Sequence, residues 1–209
     1  MVIIRLPKTD NKEAILQCSA ALRRGEIIAF PTETFYGLGA KFDNPASLER
    51  LAALKSRPMG KAMPLIIGRK EQLSLIASSV SPAAELLMQA FWPGPLTLIL
   101  PAKESIPRSI TAGSGTVAVR VPGRSFALTL VRALDFPITA TSANISSRPP
   151  AGCVEEVMGY FDADIDIVVD GGISPGSLPS TIIDVTGSRP LVIRQGALPE
   201  EEIIRALQT

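Results

Sequence analysis

Short apolar runs recur along the whole chain, and spacers of two kinds separate them. The runs Val2–Arg5, Glu26–Phe30, Pro64–Ile67, Leu96–Leu100, Thr116–Val121, Pro137–Thr141, Ile165–Asp170, Thr181–Val185 and Leu191–Arg194 read as strands. Some neighbours are separated by amphipathic stretches of helical length, others only by turns such as TGSRP before Leu191. A helical crossover lets two strands run parallel, whereas a tight turn makes them antiparallel. The spacing therefore predicts an α/β fold, a twisted sheet of mixed parallel and antiparallel strands with flanking helices.

Capping residues punctuate the helices. Asp10 or Asn11 opens one that runs to about Arg24, where Gly25 stops it. Asn44-Pro45 pairs a cap with a first-turn proline and starts a helix ending near Lys55. Further helices are expected over Glu71–Ala77, Pro82–Phe91 behind the cap Ser81, Ser125–Leu134, Val154–Phe161 and Pro199–Leu207. Residues 101–115, PAKESIPRSITAGSG, lack a clear period and read as a flexible or functional loop. A length of 209 residues with 46% hydrophobic content suits a single domain spanning residues 1–209.

Composition excludes several chemistries. The chain has no histidine, which removes Ser-His-Asp and Cys-His catalysis and the commonest zinc ligand. Cys18 and Cys153 lie far apart without metal-type spacing, so no metal site is expected and a reduced, cytoplasmic chain is. The balance of 21 basic and 20 acidic residues makes no case for a membrane or nucleic-acid partner, although a local basic groove stays open. The N-terminus lacks the apolar segment of a signal peptide, and nothing approaches a membrane span. No G-x-x-x-x-G-K-[ST] element is present, and GLGA holds too few glycines for a dinucleotide fingerprint.

Polar residues gather where the apolar runs end. In Ala29–Ala40, AFPTETFYGLGA, Pro31 ends a strand because it has no N–H for a ladder. Gly37 and Gly39 permit positive φ or close approach of a ligand. Thr32 and Thr34 flank Glu33, so in an extended backbone both hydroxyls share a face. Lys55, Arg57 and Lys61 follow a helix; Ser142 and Asn144 follow a strand; Ser180-Thr181 opens one, and Arg194 ends the last. Each has a plainer reading: cations at a helix end, caps of a turn, a charge on an edge strand. Arg120 differs, because it sits in the apolar run TVAVRVP and needs a carboxylate or phosphate partner. Together, cations and small hydroxyls suit a polyanion and catalysis by alignment and charge neutralisation, as nucleotidyl transfer requires.

The motifs PTETFYGLGA, KSRPMGKAMPL, TVAVRVP, TSANISSRP, PSTIIDVTG and IRQGAL, between Pro31 and Leu198, resemble the YrdC/TsaC family of threonylcarbamoyl-AMP synthases. The resemblance implies a YrdC-like α/β fold with a large concave basic face. It implies an enzyme that converts L-threonine, bicarbonate or CO2, and ATP, with Mg²⁺, into threonylcarbamoyl-adenylate and pyrophosphate. A separate transferase complex then modifies tRNA. By the same resemblance, Thr32, Thr34, Tyr36, Arg120, Ser142 and Ser180 contact threonine. Lys55, Arg57, Lys61, Thr116, Asn144 and Arg194 hold ATP, with Lys55, Arg57 and Lys61 at the phosphates as the catalytic set. Some members carry a histidine just after the PLI strand; near Gly68 this chain has none. Longer members append a second domain, for which this chain ends too early. A double-stranded RNA or tRNA-binding protein of the same fold, without the activity, is the alternative.

Overall fold

The computed structural model describes residues 1–7, 10–58, 60–176 and 178–208. Strands β1 (Val2–Arg5), β2 (Ile28–Pro31), β3 (Tyr36–Gly39), β4 (Leu65–Ile66), β5 (Leu96–Pro101) and β6 (Thr116–Arg120) fill the first part. β7 (Ile138–Thr139), β8 (Thr141–Ser142), β9 (Ile167–Asp170), β10 (Thr181–Asp184) and β11 (Leu191–Arg194) follow. The helices are α1 (Lys12–Arg23), α2 (Pro45–Leu54), α3 (Leu73–Ile76), α4 (Pro82–Phe91), α5 (Arg108–Thr111), α6 (Phe126–Ala133), α7 (Val154–Phe161) and α8 (Glu200–Leu207).

The mixed α/β architecture is present, divided between two sheets. One has the order β1-β9-β2-β3-β8, the other β11-β10-β5-β6-β4-β7. Both are mixed: β2 runs parallel to β9 and antiparallel to β3, while β5 runs parallel to β10 and antiparallel to β6. The apolar run at 137–141 breaks at Ala140. β7 pairs with β4 in one sheet and β8 with β3 in the other, so the chain steps between sheets there.

The inner strands β2 and β9 of the first sheet are buried on both sides, whereas the edge strand β1 is largely exposed. Ile28, Phe30, Ile167 and Val169 pack with α1 and α6, whereas Ala29 and Val168 join the main core with α2 and α7. The second sheet alternates: Leu96, Leu98, Leu100, Val117, Val119 and Ile183 enter that main core, and their neighbours face the other way. Burial of a large aliphatic side chain contributes about 1.5–3 kcal/mol, so this period-two pattern pins the register.

Two expectations need correction. The stretch after Pro31, absent from the expected strands, contains β3, hydrogen-bonded antiparallel to β2. Neither Gly37 nor Gly39 has positive φ. A Cβ at Gly39 would lie 2.7 Å from Phe30 Cε1, so a core ring occupies the space a side chain would need. Residues 101–115 are structured rather than aperiodic. They contain α5, Ile106 and Ile110 are buried, and Met63 N–H donates to Ile110 O at 2.9 Å.

Candidate active site

A cavity of about 490 Å³ opens on the face of the second sheet turned away from the core. Its floor alternates with the core residues: Thr97 and Ile99 on β5, Ala118 and Arg120 on β6, Ile182 on β10. Its walls come from the turn 32–36, residues 55–62 after α2, the loop 140–150, and Ser180 with Arg194. The volume is that of a small-molecule site. Lys55, Arg57, Lys61, Arg120 and Arg194 all line it, and among the described residues no carboxylate does.

Eleven of the twelve residues singled out in the sequence are in this lining: Thr32, Thr34, Tyr36, Lys55, Arg57, Lys61, Arg120, Ser142, Asn144, Ser180 and Arg194. Thr116 is not. It lies four residues before Arg120 on β6, hence on the same face, and its hydroxyl is 2.8 Å from Ser114 Oγ.

The two threonines do meet, but through a turn rather than an extended strand. Thr34 N–H and Phe35 N–H donate to Thr32 Oγ1 at 3.0 and 3.2 Å, and Thr32 Oγ1 donates to Phe35 O at 2.7 Å. A threonine hydroxyl closing a local turn in this way sets the backbone. It leaves the two hydroxyl oxygens 3.0 Å apart. Tyr36 borders the cavity but is fully buried, with its side chain in the main core. Its hydroxyl donates to Gly172 O at 2.8 Å and accepts from Gly171 N–H at 3.1 Å, and burial pushes its pKa up to about 12.

Lys55, Arg57 and Arg194 are held in place by neighbouring oxygens. Lys55 is 2% exposed, and its ammonium donates to Ser142 O, to Asn144 O at 2.6 Å and to Asn144 Oδ1 at 3.0 Å. Those three acceptors match its three N–H bonds. Lys55 thus ties the loop 142–144 to the end of α2, and its ammonium has no donor left for a phosphate. Burial, then repulsion from Arg57 and Lys61, lowers its pKa to about 7. Arg57 donates to Lys61 O at 2.9 Å, to Ala62 O and to Thr141 Oγ1 at 3.3 Å, and burial lowers its pKa. Arg194 donates to Ser180 O at 2.8 Å and Ser180 Oγ at 3.2 Å, and Ser180 Oγ meets Thr97 Oγ1 at 2.9 Å. Burial, then the neighbouring Arg120, lowers the pKa of Arg194.

Within the loop, Ser142 Oγ donates to Asn144 Oδ1 at 2.6 Å and Asn144 Nδ2 donates to Arg148 O. Arg120 finds the carboxylate its burial demands, within the chain: Nη1 donates to Glu33 Oε1 at 2.5 Å. Glu33 was visible between the two threonines but carried no role in the sequence reading. The pair joins positions 87 apart, which no local pattern reports.

Residues 20–196 match the Sua5/YciO/YrdC family, described as "Telomere recombination". The chain belongs to this family. It is 39% identical over 206 residues to a threonylcarbamoyl-AMP synthase of Pyrococcus abyssi, covering 99% of this chain and 61% of that protein. It is 42% identical over 172 residues to the threonylcarbamoyl-AMP synthase of Thiobacillus denitrificans, covering 82% of this chain and 91% of that protein. The crystal structure of Pyrococcus abyssi Sua5 complexed with L-threonine superposes with a TM-score of 0.94 at 39% identity, over 99% of this chain and 61% of that one. The chain thus spans about three-fifths of the Pyrococcus abyssi protein, and more nearly all of the Thiobacillus denitrificans one. Among the described residues no helix is long and apolar enough to cross a membrane.

Proposed function

We propose that residues 1–209 act as one catalytic unit, a threonylcarbamoyl-AMP synthase working in the cytoplasm. The observation that carries this reading is a cavity whose lining, among the described residues, has five cationic side chains, several hydroxyls and no carboxylate. Such a site stabilises a polyphosphate and the charge that develops on it. Family relatives that bear the synthase name support the assignment.

In this reading the threonine amine adds to CO2, forming an N–C bond and losing a proton to give a carbamate. A carbamate oxygen attacks the α-phosphorus of ATP, the P–O bond to the β-phosphate breaks, and pyrophosphate leaves with the electron pair. Arg120 takes the threonine carboxylate, with Thr32, Thr34, Tyr36, Ser142 and Ser180 around the amino acid. Arg57, Lys61 and Arg194 take the phosphates, and Asn144 and Thr116 border the nucleotide. Lys55 serves the catalytic set by holding the 142–144 loop. Among the described residues no carboxylate lines the cavity to hold Mg²⁺, so the ion would be bound through the phosphate oxygens of ATP and would supply charge neutralisation there. The adenylate would pass to a separate transferase complex acting on tRNA. Any tRNA or double-stranded RNA contact on a basic face would show a steep loss of affinity with salt.

The test is pyrophosphate release from ATP and bicarbonate with each amino acid in turn. Release that depends on L-threonine is expected; release equal without it overturns the reading.

A further inference from the structure

We propose that Glu33 is a positioning residue that fixes one end of the Arg120 guanidinium and so aims its remaining N–H groups at a substrate carboxylate. This rests on the reading of Arg120 given above. The Glu33 and Arg120 side chains are 16% and 9% exposed, yet Arg120 still lines the cavity. The contact is made through Nη1 alone. A guanidinium carries five N–H donors in a rigid fork, so a single-ended anchor leaves the rest free to receive a second carboxylate. Among the described residues Glu33 is the one hydrogen-bond partner of the Arg120 side chain, so the carboxylate orients its guanidinium.

Glu33 is itself clamped. The Thr32 turn fixes its backbone, and Gly123 lies so close that a Cβ there would sit 3.0 Å from Glu33 Cγ. Its second oxygen, Oε2, is buried without a partner, so the carboxylate is held for Oε1 alone. The pairing also sorts anions. Among the described residues of the lining Arg57 and Lys61 have no acidic partner, which leaves their charge for a polyphosphate. The Arg120–Glu33 pair is neutral overall and suits a monoanion that can use the free side of the fork.

The experiment is calorimetric titration of L-threonine, its carboxylate-free analogue L-threoninol and ATP into the wild-type chain, Glu33→Gln, Glu33→Asp and Arg120→Ala. Glu33→Gln is expected to weaken threonine about tenfold while ATP and threoninol change by no more than about twofold. Glu33→Asp keeps the charge but draws the anchor back by one methylene, and should weaken threonine alone as well; it carries the test if Glu33→Gln does not fold. Unchanged threonine affinity in a folded Glu33 variant, with Arg120→Ala weakened, overturns the positioning role. Parallel losses for all three ligands overturn it too, by marking Glu33 as merely structural. Unchanged threonine affinity in Arg120→Ala fails the earlier reading of Arg120 instead.

Discussion

Two parts of the cavity wall hold their cations by opposite means. Between the 55–61 segment and the 141–148 loop, Lys55 and Arg57 rest on neutral oxygens: backbone carbonyls, an amide and a hydroxyl. Between the 32–35 turn and β6, Arg120 rests on a carboxylate. Neutral acceptors orient a cation without cancelling it, so the first region keeps its positive charge. Repulsion from Arg57 and Lys61 is accordingly felt at Lys55. In the second region Glu33 offsets the Arg120 charge, although repulsion from Arg120 still reaches Arg194. On the proposed reading, one wall attracts a highly charged anion and the other recognises the shape of a singly charged one.

The largest effect that could break this contrast is on turnover. Arg57→Ala is expected to lower threonine-dependent pyrophosphate release about a thousandfold, roughly 4 kcal/mol of transition-state stabilisation. The chain should still unfold cooperatively, at a cost of about 1–2 kcal/mol for hydrogen bonds lost to neutral partners. Steady-state kinetics and urea unfolding read the two quantities. Turnover near wild type would mean that the unbalanced wall is not where phosphate sits. Stability should rank the walls the other way. Arg120→Ala leaves the Glu33 carboxylate in a poorly exposed site without its cation, which costs about 3–5 kcal/mol. Removing both partners should cost less than the two single changes together, and additive losses would show that the pair is not coupled.

Much of the frame was legible because its causes are local. Asn44, Ser81 and Ser125 each accept a bond from the N–H three residues on, as cap residues at those places should. The alternation in β5 and β6 was readable because one face is core and the other is not. β3 was missed because YGLG is glycine-rich and strands are usually depleted in glycine. What those glycines admit is the Phe30 ring from the paired strand, a fact of pairing rather than of local sequence. The division into two sheets was hidden for the same reason, since Ala140 alone separates β7 from β8. At the site, residue types pointed to a polyanion, but not to which cations were already engaged. That Lys55 is spent on the 142–144 loop, and that Arg120 is met by Glu33, depends on contacts 87 to 89 positions apart.

The smallest effect concerns the charge Lys55 keeps. Its pKa is lowered to about 7, chiefly by burial. Below that pH the amine is charged in both the folded and the unfolded chain, and folding bears the full cost of burying it. Between pH 7 and the ordinary lysine range the folded chain binds fewer protons than the unfolded one, so stability rises with pH. A neutral amine still donates two of its three hydrogen bonds to Ser142 and Asn144, which keeps the loop attached. Lys55→Met cannot titrate. The unfolding free energy of wild type relative to Lys55→Met is therefore expected to climb between pH 7 and 9, by up to about 1.4 kcal/mol per pH unit. Denaturant unfolding of both proteins across that range measures it. A flat difference would mean that three oxygen acceptors keep the ammonium charged against its burial, adding one more uncancelled charge to the wall that already has no acid in it.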